Sequence, residues 1–446
     1  MNKKKLFGTD GIRGVANAFP LVEEFVEKIG FSSGKILGKE KGKVLVGYDT
    51  RKSCDEIKRW LFSGLKKSGI KAYDSGVFPT PGISAMVREK NFDFGIVISA
   101  SHNPYTDNGI KFFSQSGEKL SEEKENEIES CIYELKELKY EKSEGEVVEI
   151  NLEEDYLNYI LRNFEDLNLE KKTILLDTAN GASYKIAPKL FWKLNADVKV
   201  INNLPTGENI NRECGSLFAD KIKREIHLYG CEFGFSFDGD ADRCLAVLPN
   251  GKIIDGDYLL YNEALSRKRK GILKNNLVVG TVMSNYGLEK ALEKEKISFI
   301  RTNVGDKYVY EAMEEKGGEI GGEPSGHIIF LDKSVTGDGL ITALSYCKNS
   351  IERGGMERLL EGINMCFQKI VNIRVEKKIP FEEIEGFEET EKKAKDIIKD
   401  EGRIVLRYSG TEPLLRIMVE AEKEEKLNET INFLVENLKI ALNKGD

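Results

Sequence analysis

The chain reads as an α/β protein: repeated α/β units whose loops share a cleft, followed by a smaller α+β domain at the C-terminus. Three observations predict this. At 446 residues it is too long for one hydrophobic core, and two to four domains are expected. Short apolar runs recur along most of it, alternating with stretches of helical spacing. Several of those runs stop in polar loops, most containing glycine, which is where the strands of an open α/β sheet face a ligand.

The first run, Val44 to Val46, ends at Gly47-Tyr48-Asp49-Thr50-Arg51, and Cys54 to Lys67 then has helical spacing. Phe78-Pro79-Thr80-Pro81-Gly82 reads as a rigid loop ahead of another helix, because each proline fixes its own φ. The next run, Phe94 to Ile98, has the pattern of a buried parallel strand and delivers Ser101 just past its end. Glu122 to Glu146 is so strongly charged that a solvated helix and linker without chemistry is expected. Thr173 to Leu176 ends at Asp177-Thr178-Ala179-Asn180-Gly181, and Phe233 to Phe237 at Asp238-Gly239-Asp240-Ala241-Asp242-Arg243. Leu277 to Gly280 ends at Thr281 to Asn285, and Ile297 to Ile300 at Arg301-Thr302-Asn303-Val304-Gly305-Asp306. After about Asn364 come a strand from Lys369 to Val375, a charged helix through Lys399, strands Arg403 to Arg407 and Leu414 to Glu420, and a last helix. This part reads as a lid.

Composition removes several function classes. The chain carries 67 Lys and Arg against 75 Asp and Glu, a net charge of −8, which argues against a general nucleic-acid binder. No long apolar span or signal peptide is visible, so a cytoplasmic protein with no membrane contact is expected. The seven cysteines (Cys54, Cys131, Cys214, Cys231, Cys244, Cys347 and Cys366) are scattered and contain no Cys-x-x-Cys pair, which reads as reduced thiols without a zinc site.

Four segments carry chemistry. Ser101 is followed by His102-Asn103-Pro104, and the proline stiffens a turn that presents the hydroxyl. Serine-hydrolase chemistry is disfavoured, because Gly-x-Ser-x-Gly is absent and His102 is too close in sequence to be assumed its base. A serine that carries a phosphoryl group needs a metal and cationic clamps instead. Asp238, Asp240 and Asp242, spaced by small residues, suit a hard cation, and Mg²⁺ fits best where a phosphoryl oxygen completes its shell. An EF-hand is disfavoured, since the sixth and twelfth positions counted from Asp238 are Arg243 and Pro249. Arg407 and Arg416 flank a Ser409-Gly410-Thr411 turn, a set of donors suited to a phosphate. Glu323 and Ser325 sit on the glycine-rich loop Gly321 to His327, of a kind that could read sugar hydroxyls. At the N-terminus Phe7-Gly8-Thr9-Asp10-Gly11-Ile12-Arg13-Gly14 adds close backbone approach and charge, but it lacks the Gly-Lys-Ser/Thr of a nucleotide P-loop.

Assembled, these residues resemble the α-D-phosphohexomutase family over essentially the whole chain. Its motifs appear in family order: Ser101-His102-Asn103-Pro104, Asp238 to Arg243, Gly322-Glu323-Pro324-Ser325-Gly326-His327, and Arg407-Tyr408-Ser409-Gly410-Thr411-Glu412-Pro413. The resemblance implies four domains around a central cleft, the first three α/β and related, with bounds at residues 1–150, 151–253, 254–364 and 365–446. It implies an isomerase whose phosphoserine is Ser101, with Mg²⁺ held by its phosphate together with Asp238, Asp240 and Asp242. Lys111 and Arg243 match positions near the transferring group, Lys111 as proton carrier, and His102 and Arg13 are grouped with them as catalytic. Glu323 and Ser325 would grip the sugar, with His327 on the same loop, while Arg407, Ser409, Gly410, Thr411 and Arg416 would hold the phosphate that does not react. The implied partner is a phosphosugar, with no nucleic acid or membrane, and a homodimer is compatible. The opening motif and the Ser-Gly-Thr-Glu-Pro turn look like the branch acting on glucosamine phosphates rather than the mannose/glucose branch. Two positions depart from that branch: Pro324 where an amide or other polar residue is expected, and Cys54 where a glycine is usual.

Overall fold

An apolar run with no polar alternation, such as Phe94–Ile98, must be covered on both faces, and Phe94–Ile98, Phe233–Phe237 and Ile320–Gly322 are all buried along their whole lengths. Each is the second strand of the same four-strand series. The computed structural model describes residues 5–40, 42–136, 145–409 and 413–443. Within them the first series runs Asp107–Phe113, Phe94–Ile98, Lys43–Tyr48, Lys71–Val77. The second runs Cys244–Val247, Phe233–Phe237, Thr173–Asp177, Asp197–Ile201, and the third Ile328–Phe330, Ile320–Gly322, Leu277–Thr281, Ser298–Thr302. Phe7–Gly8, Gly11–Val15 and Val147–Glu149 extend the first sheet, and Ile253–Ile254 the second. The C-terminal unit is an antiparallel sheet in the order Phe367–Arg374, Leu414–Ala421, Gly402–Tyr408, with helices Phe387–Ile398 and Glu424–Asn443. Three related α/β units and a smaller α+β unit are therefore present, as expected.

The shared series has a functional consequence. In each unit the second strand is parallel to the third but antiparallel to the first, its successor in sequence. Residues 99–106, 238–243 and 323–327 are thus short connections projecting beyond a strand's carboxyl end. They carry Ser101, the three aspartates and Glu323.

One apolar cluster runs through all three α/β units, from Leu45 and Phe113 through Tyr156, Leu157 and Ile160 of helix Glu153–Leu161 to Phe235 and Leu344. At about 1.5–3 kcal/mol for each such side chain, this shared core ties the three loops into one frame. The C-terminal unit has a separate core around Ile373, Leu415, Ile417 and Leu434. It meets the third unit through polar contacts: Arg403 Nη2 donates to the carbonyls of Val282 and Ser284, each at 3.1 Å, while buried Glu420 receives Arg403 Nε at 2.8 Å.

Three local readings change. Residues 80–82 belong to the first turn of helix Thr80–Glu89, which tolerates Pro81 because an N-terminal amide needs no partner within the helix. Helix Glu122–Glu134 is not wholly solvated: Ile128 and Ile132, one turn apart, enter the core of the first unit. Asp107–Phe113, to which the sequence reading assigned no element, is a strand. The continuation of the linker through residues 137–144 lies outside the described residues. No described helix is long and apolar enough to cross a membrane.

Candidate active site

Ser101 sits where the chain turns from Phe94–Ile98 toward Asp107–Phe113, with φ +51°, a left-handed conformation that costs a non-glycine residue about 1–2 kcal/mol. Its side chain is sealed at 2% exposure and its Oγ donates to Asp238 Oδ2 at 2.6 Å. The two loops can touch because residue 239 is glycine: a Cβ there would lie 2.6 Å from the Ser101 carbonyl oxygen. The serine and aspartate loops, from different domains, are built to meet.

Asp238, Asp240 and Asp242 are buried, each offering an oxygen within 4.8 Å of the others. Burial pushes the Asp238 carboxyl well up, and the charges of Asp242 and Asp240 push it further. Asp240 Oδ1 and Asp242 Oδ1 have no hydrogen-bond partner among the described residues although both are enclosed. Clustered carboxylates with buried oxygens short of hydrogen bonds, Asp240 Oδ1 above all, fit a divalent cation, which removes the repulsion and completes their coordination. The nearest counter-charge is Lys111, whose Nζ is 2.8 Å from Asp240, 3.0 Å from Asp10 and 3.6 Å from Asp242. Burial alone would lower its pKa, but the three carboxylates win and raise it, so Lys111 holds its proton firmly. Thr80 Oγ1 also donates to Asp240 Oδ2, at 2.6 Å, fixing the aspartate loop from the first unit.

A cleft of about 360 Å³ opens above these groups. Ser101, His102, Arg13, Asp242, Arg243, Glu323 and His327 line it. His102 Nδ1 lies 3.3 Å from Ser101 Oγ; burial, with Arg243 and Arg13 nearby, pushes its pKa down to about 4, leaving a neutral ring. Arg243 approaches Asp242 at 3.8 Å, and Arg13 pairs with Asp10. On the far wall Glu323 Oε1 accepts the Gly305 amide at 3.1 Å, and Ser325 Oγ lies 3.4 Å from Glu323 Oε2. His327 bridges two acidic groups, Nδ1 3.6 Å from Asp242 and Nε2 3.3 Å from Asp306. A larger cavity of about 590 Å³ behind Lys119 and Asp306 touches neither Ser101, the aspartate triplet nor Glu323.

Arg407 and Arg416 stand on the C-terminal sheet, with Ser409 just past strand Gly402–Tyr408, and none of the three lines this cleft. Arg407 faces Arg416 across the strand pair, with Arg416 Nη2 3.5 Å from Ser409 Oγ. Gly410 and Thr411 lie outside the described residues. Pro324 accepts the Gly256 amide through its carbonyl at 3.2 Å, and Cys54 is buried with Sγ 3.4 Å from Asp49. Cys54 is thus enclosed in the first unit, whereas Pro324 is half-buried and held through its backbone.

Sequence reasoning missed Thr80, Lys119 and Asp306. Lys119 Nζ joins Asp10 of the first unit, at 2.7 Å, to Asp306 of the third, at 2.6 Å. Burial would raise the Asp10 pKa, but Lys111, Lys119 and Arg13 hold it well below the carboxylate range. Its contribution to stability is therefore complete above the unfolded carboxylate pKa and is lost only as pH falls through the depressed value. Lys119→Met should cost about 1–3 kcal/mol, less than a sealed pair would, because the Lys119 and Asp10 side chains keep 21% and 20% of their surface in water. Its acid-unfolding midpoint, followed by circular dichroism, should move to higher pH. An unchanged midpoint would deny the bridge any weight.

Family models match the chain in four consecutive pieces. They are phosphoglucomutase/phosphomannomutase alpha/beta/alpha domain I over residues 4–139, domain II over 154–251, domain III over 255–365, and the C-terminal domain over 370–436. A phosphoglucosamine mutase of Alcanivorax borkumensis is 41% identical over 443 residues, covering 99% of this chain and 100% of its own. One from Nautilia profundicola is 44% identical over 443 residues, covering 98% and 100%. Among solved structures, a phosphoglucomutase/phosphomannomutase family protein of Burkholderia thailandensis superposes with TM-score 0.81 at 22% identity, covering 99% of this chain and 98% of its own. Aspergillus fumigatus N-acetylphosphoglucosamine mutase, in complex with GlcNAc-6P and magnesium, gives TM-score 0.69 at 18% identity, with 99% and 96% covered. The chain belongs to the phosphoglucomutase/phosphomannomutase family of phosphohexomutases, which are isomerases.

Proposed function

We propose that this chain is a phosphoglucosamine mutase of the cytoplasm, interconverting glucosamine 6-phosphate and glucosamine 1-phosphate. The observation that carries the reading is Ser101 Oγ held 2.6 Å from Asp238 at the edge of a buried three-carboxylate cluster, beneath a cleft lined by arginines and Glu323. In the forward direction the phosphoserine Oγ–P bond breaks as a bond forms between phosphorus and the sugar O1. The proton of the 1-hydroxyl leaves that oxygen and Ser101 Oγ takes one up; in the second half Ser101 Oγ loses its proton as it accepts the 6-phosphoryl group, and the sugar O6 gains one. The resulting 1,6-bisphosphate turns over in the cleft and returns its 6-phosphoryl group to Ser101, releasing glucosamine 1-phosphate.

Asp238, Asp240 and Asp242, with the Ser101 phosphoryl oxygen, would hold Mg²⁺. Bound there, the ion supplies positive charge against the transferring phosphoryl group. Arg243 and Arg13 face the same oxygens from the cleft wall. Neutral His102, with Nδ1 3.3 Å from Ser101 Oγ, is a second group besides Asp238 able to accept a proton there. Lys111, its proton held by three carboxylates, is the local counter-charge and gives up that proton only as new negative charge leaves the site. Glu323 and Ser325 take the sugar hydroxyls. The C-terminal unit, attached without a shared core, brings Arg407, Ser409 and Arg416 over the distal phosphate and excludes water.

Arg407 and Arg416 stand opposite each other as like charges, an arrangement that a bound phosphate relieves. Burial and Arg416 together lower the Arg407 pKa. Arg416→Ala should raise KM for the phosphosugar by about tenfold to a hundredfold, the worth of a charge-assisted hydrogen bond. An unchanged KM would place Arg416 outside the phosphate clamp. Turnover with glucosamine, glucose and mannose phosphates side by side, with peptide mapping for phosphate on Ser101, tests the whole reading. A preference for glucose or mannose phosphates would move the chain to the family's other branch, and an aspartyl phosphate with orthophosphate as product would replace the reading.

A further inference from the structure

We infer that Arg51 is a positioning residue for the phosphoserine, holding the Ser101 loop in the one conformation that aims Oγ at the aspartate triplet; this rests on the phosphoserine reading above. Arg51 lies two residues beyond Asp49, just after strand Lys43–Tyr48, and its guanidinium is fully enclosed at 0% exposure. Its Nε donates to Asp49 Oδ2 at 2.9 Å. Its Nη2 donates to the carbonyls of Ser101 at 2.9 Å and Asn103 at 2.8 Å. Its Nη1 donates to the carbonyls of Asp107 at 3.1 Å and Pro104. Five N–H groups thus meet five acceptors, three of them carbonyl oxygens of the serine loop and a fourth that of Asp107, where the next strand begins. Asp49 completes the grip from the other side of the peptide. Ser99 Oγ donates to Asp49 Oδ2 at 2.6 Å and accepts the Ser101 amide at 2.9 Å.

Ser101 is therefore clamped at its own amide and its own carbonyl, which is what a left-handed non-glycine residue requires if it is to persist. A lysine could not substitute: its donors radiate from one atom and cannot span four carbonyls. Asn211 of the second unit adds a second donor to the same oxygens, at 2.8 Å to Ser101 and 3.1 Å to Asn103. The groups assigned to the sugar and distal phosphate lie on other units, so the clamp should govern phosphoryl transfer without governing substrate affinity.

Full-length Arg51→Lys is assayed beside wild type, with its folded fraction and Ser101 phosphorylation measured first. The expected result is a kcat lower by about tenfold to a hundredfold, the cost of roughly 1 Å of misplacement, with KM unchanged. The ratio of orthophosphate released to sugar phosphate isomerised should rise, because a misaimed phosphoserine loses phosphate to water. A buried arginine serving only the fold would lower the unfolding midpoint and leave kcat per folded molecule and that ratio unmoved; this result overturns the inference. Should Arg51→Lys not fold, Asn211→Gly decides. It removes the second donor without stranding a charge, and glycine accepts the φ of +56° found there. The same kcat-only loss at smaller amplitude supports the clamp, and unaltered kcat refutes it. A wild-type protein without phosphate on Ser101 defeats the functional reading itself, and the clamp's catalytic role with it.

Discussion

Ser101→Ala should remove mutase turnover by about three orders of magnitude or more while leaving a folded protein. In the proposed mechanism this hydroxyl carries the ester, and among the described residues no other serine or threonine hydroxyl donates to Asp238. Alanine fills the same left-handed position no worse than serine does, and the loop keeps its clamps from Arg51, Ser99 and Asn211. The lost Oγ–Asp238 bond costs about 0.5–1.5 kcal/mol. The unfolding midpoint should therefore move by only a few degrees while coupled assays in both directions fall to background. Labelled 1,6-bisphosphate should phosphorylate wild type and leave the variant unlabelled. Substantial turnover by the alanine variant would reject the phosphoserine mechanism outright.

How much of this was legible in the sequence depended on whether a residue acts where its strand ends. Ser101, Asp238, Asp240 and Asp242 follow apolar runs, and a run that stops in small polar residues announces a loop at a sheet's ligand-facing edge, while Glu323 was legible through its glycine-rich loop. Asp107–Phe113 escaped because its pattern is broken by function. Asn108 and Lys111 are polar residues buried in the sheet, one bonding Cys54 and Ser53, the other facing three carboxylates. Thr80 and Lys119 were invisible for a different reason: their partners lie 160 and 187 residues away, and no local spacing records a contact between domains. Arg51 combined both difficulties: the sequence placed it only in the loop that ends the first apolar run, and the carbonyls it grips lie 50 to 56 residues away. The continuity of the apolar core across three units was equally absent from any single segment, since it forms only when helix Glu153–Leu161 packs between them.

Asp238→Asn should separate stability from activity in opposite directions. Asp238 is sealed at 0% exposure, its pKa raised by burial and by the neighbouring charges of Asp242 and Asp240. Replacing it with a neutral isostere removes that repulsion. The asparagine oxygen can keep the Arg243 amide, 3.2 Å away, and its amide can face the Ser101 hydroxyl. The metal-free variant should then resist urea better than metal-free wild type, by about 0.5–2 kcal/mol, as neutralised sites often do when function is relinquished. The same change deletes an anionic ligand from the cluster that would hold Mg²⁺, so turnover should fall by at least about a hundredfold. Mg²⁺ itself supplies the decisive comparison. A cation that binds only the folded cluster should raise the wild-type unfolding midpoint in proportion to its occupancy, and the variant's should scarcely respond. If both proteins gain equally from Mg²⁺, the ion binds elsewhere. If the variant is instead the less stable of the two without metal, the three carboxylates are not a strained pocket awaiting a cation but a settled part of the fold.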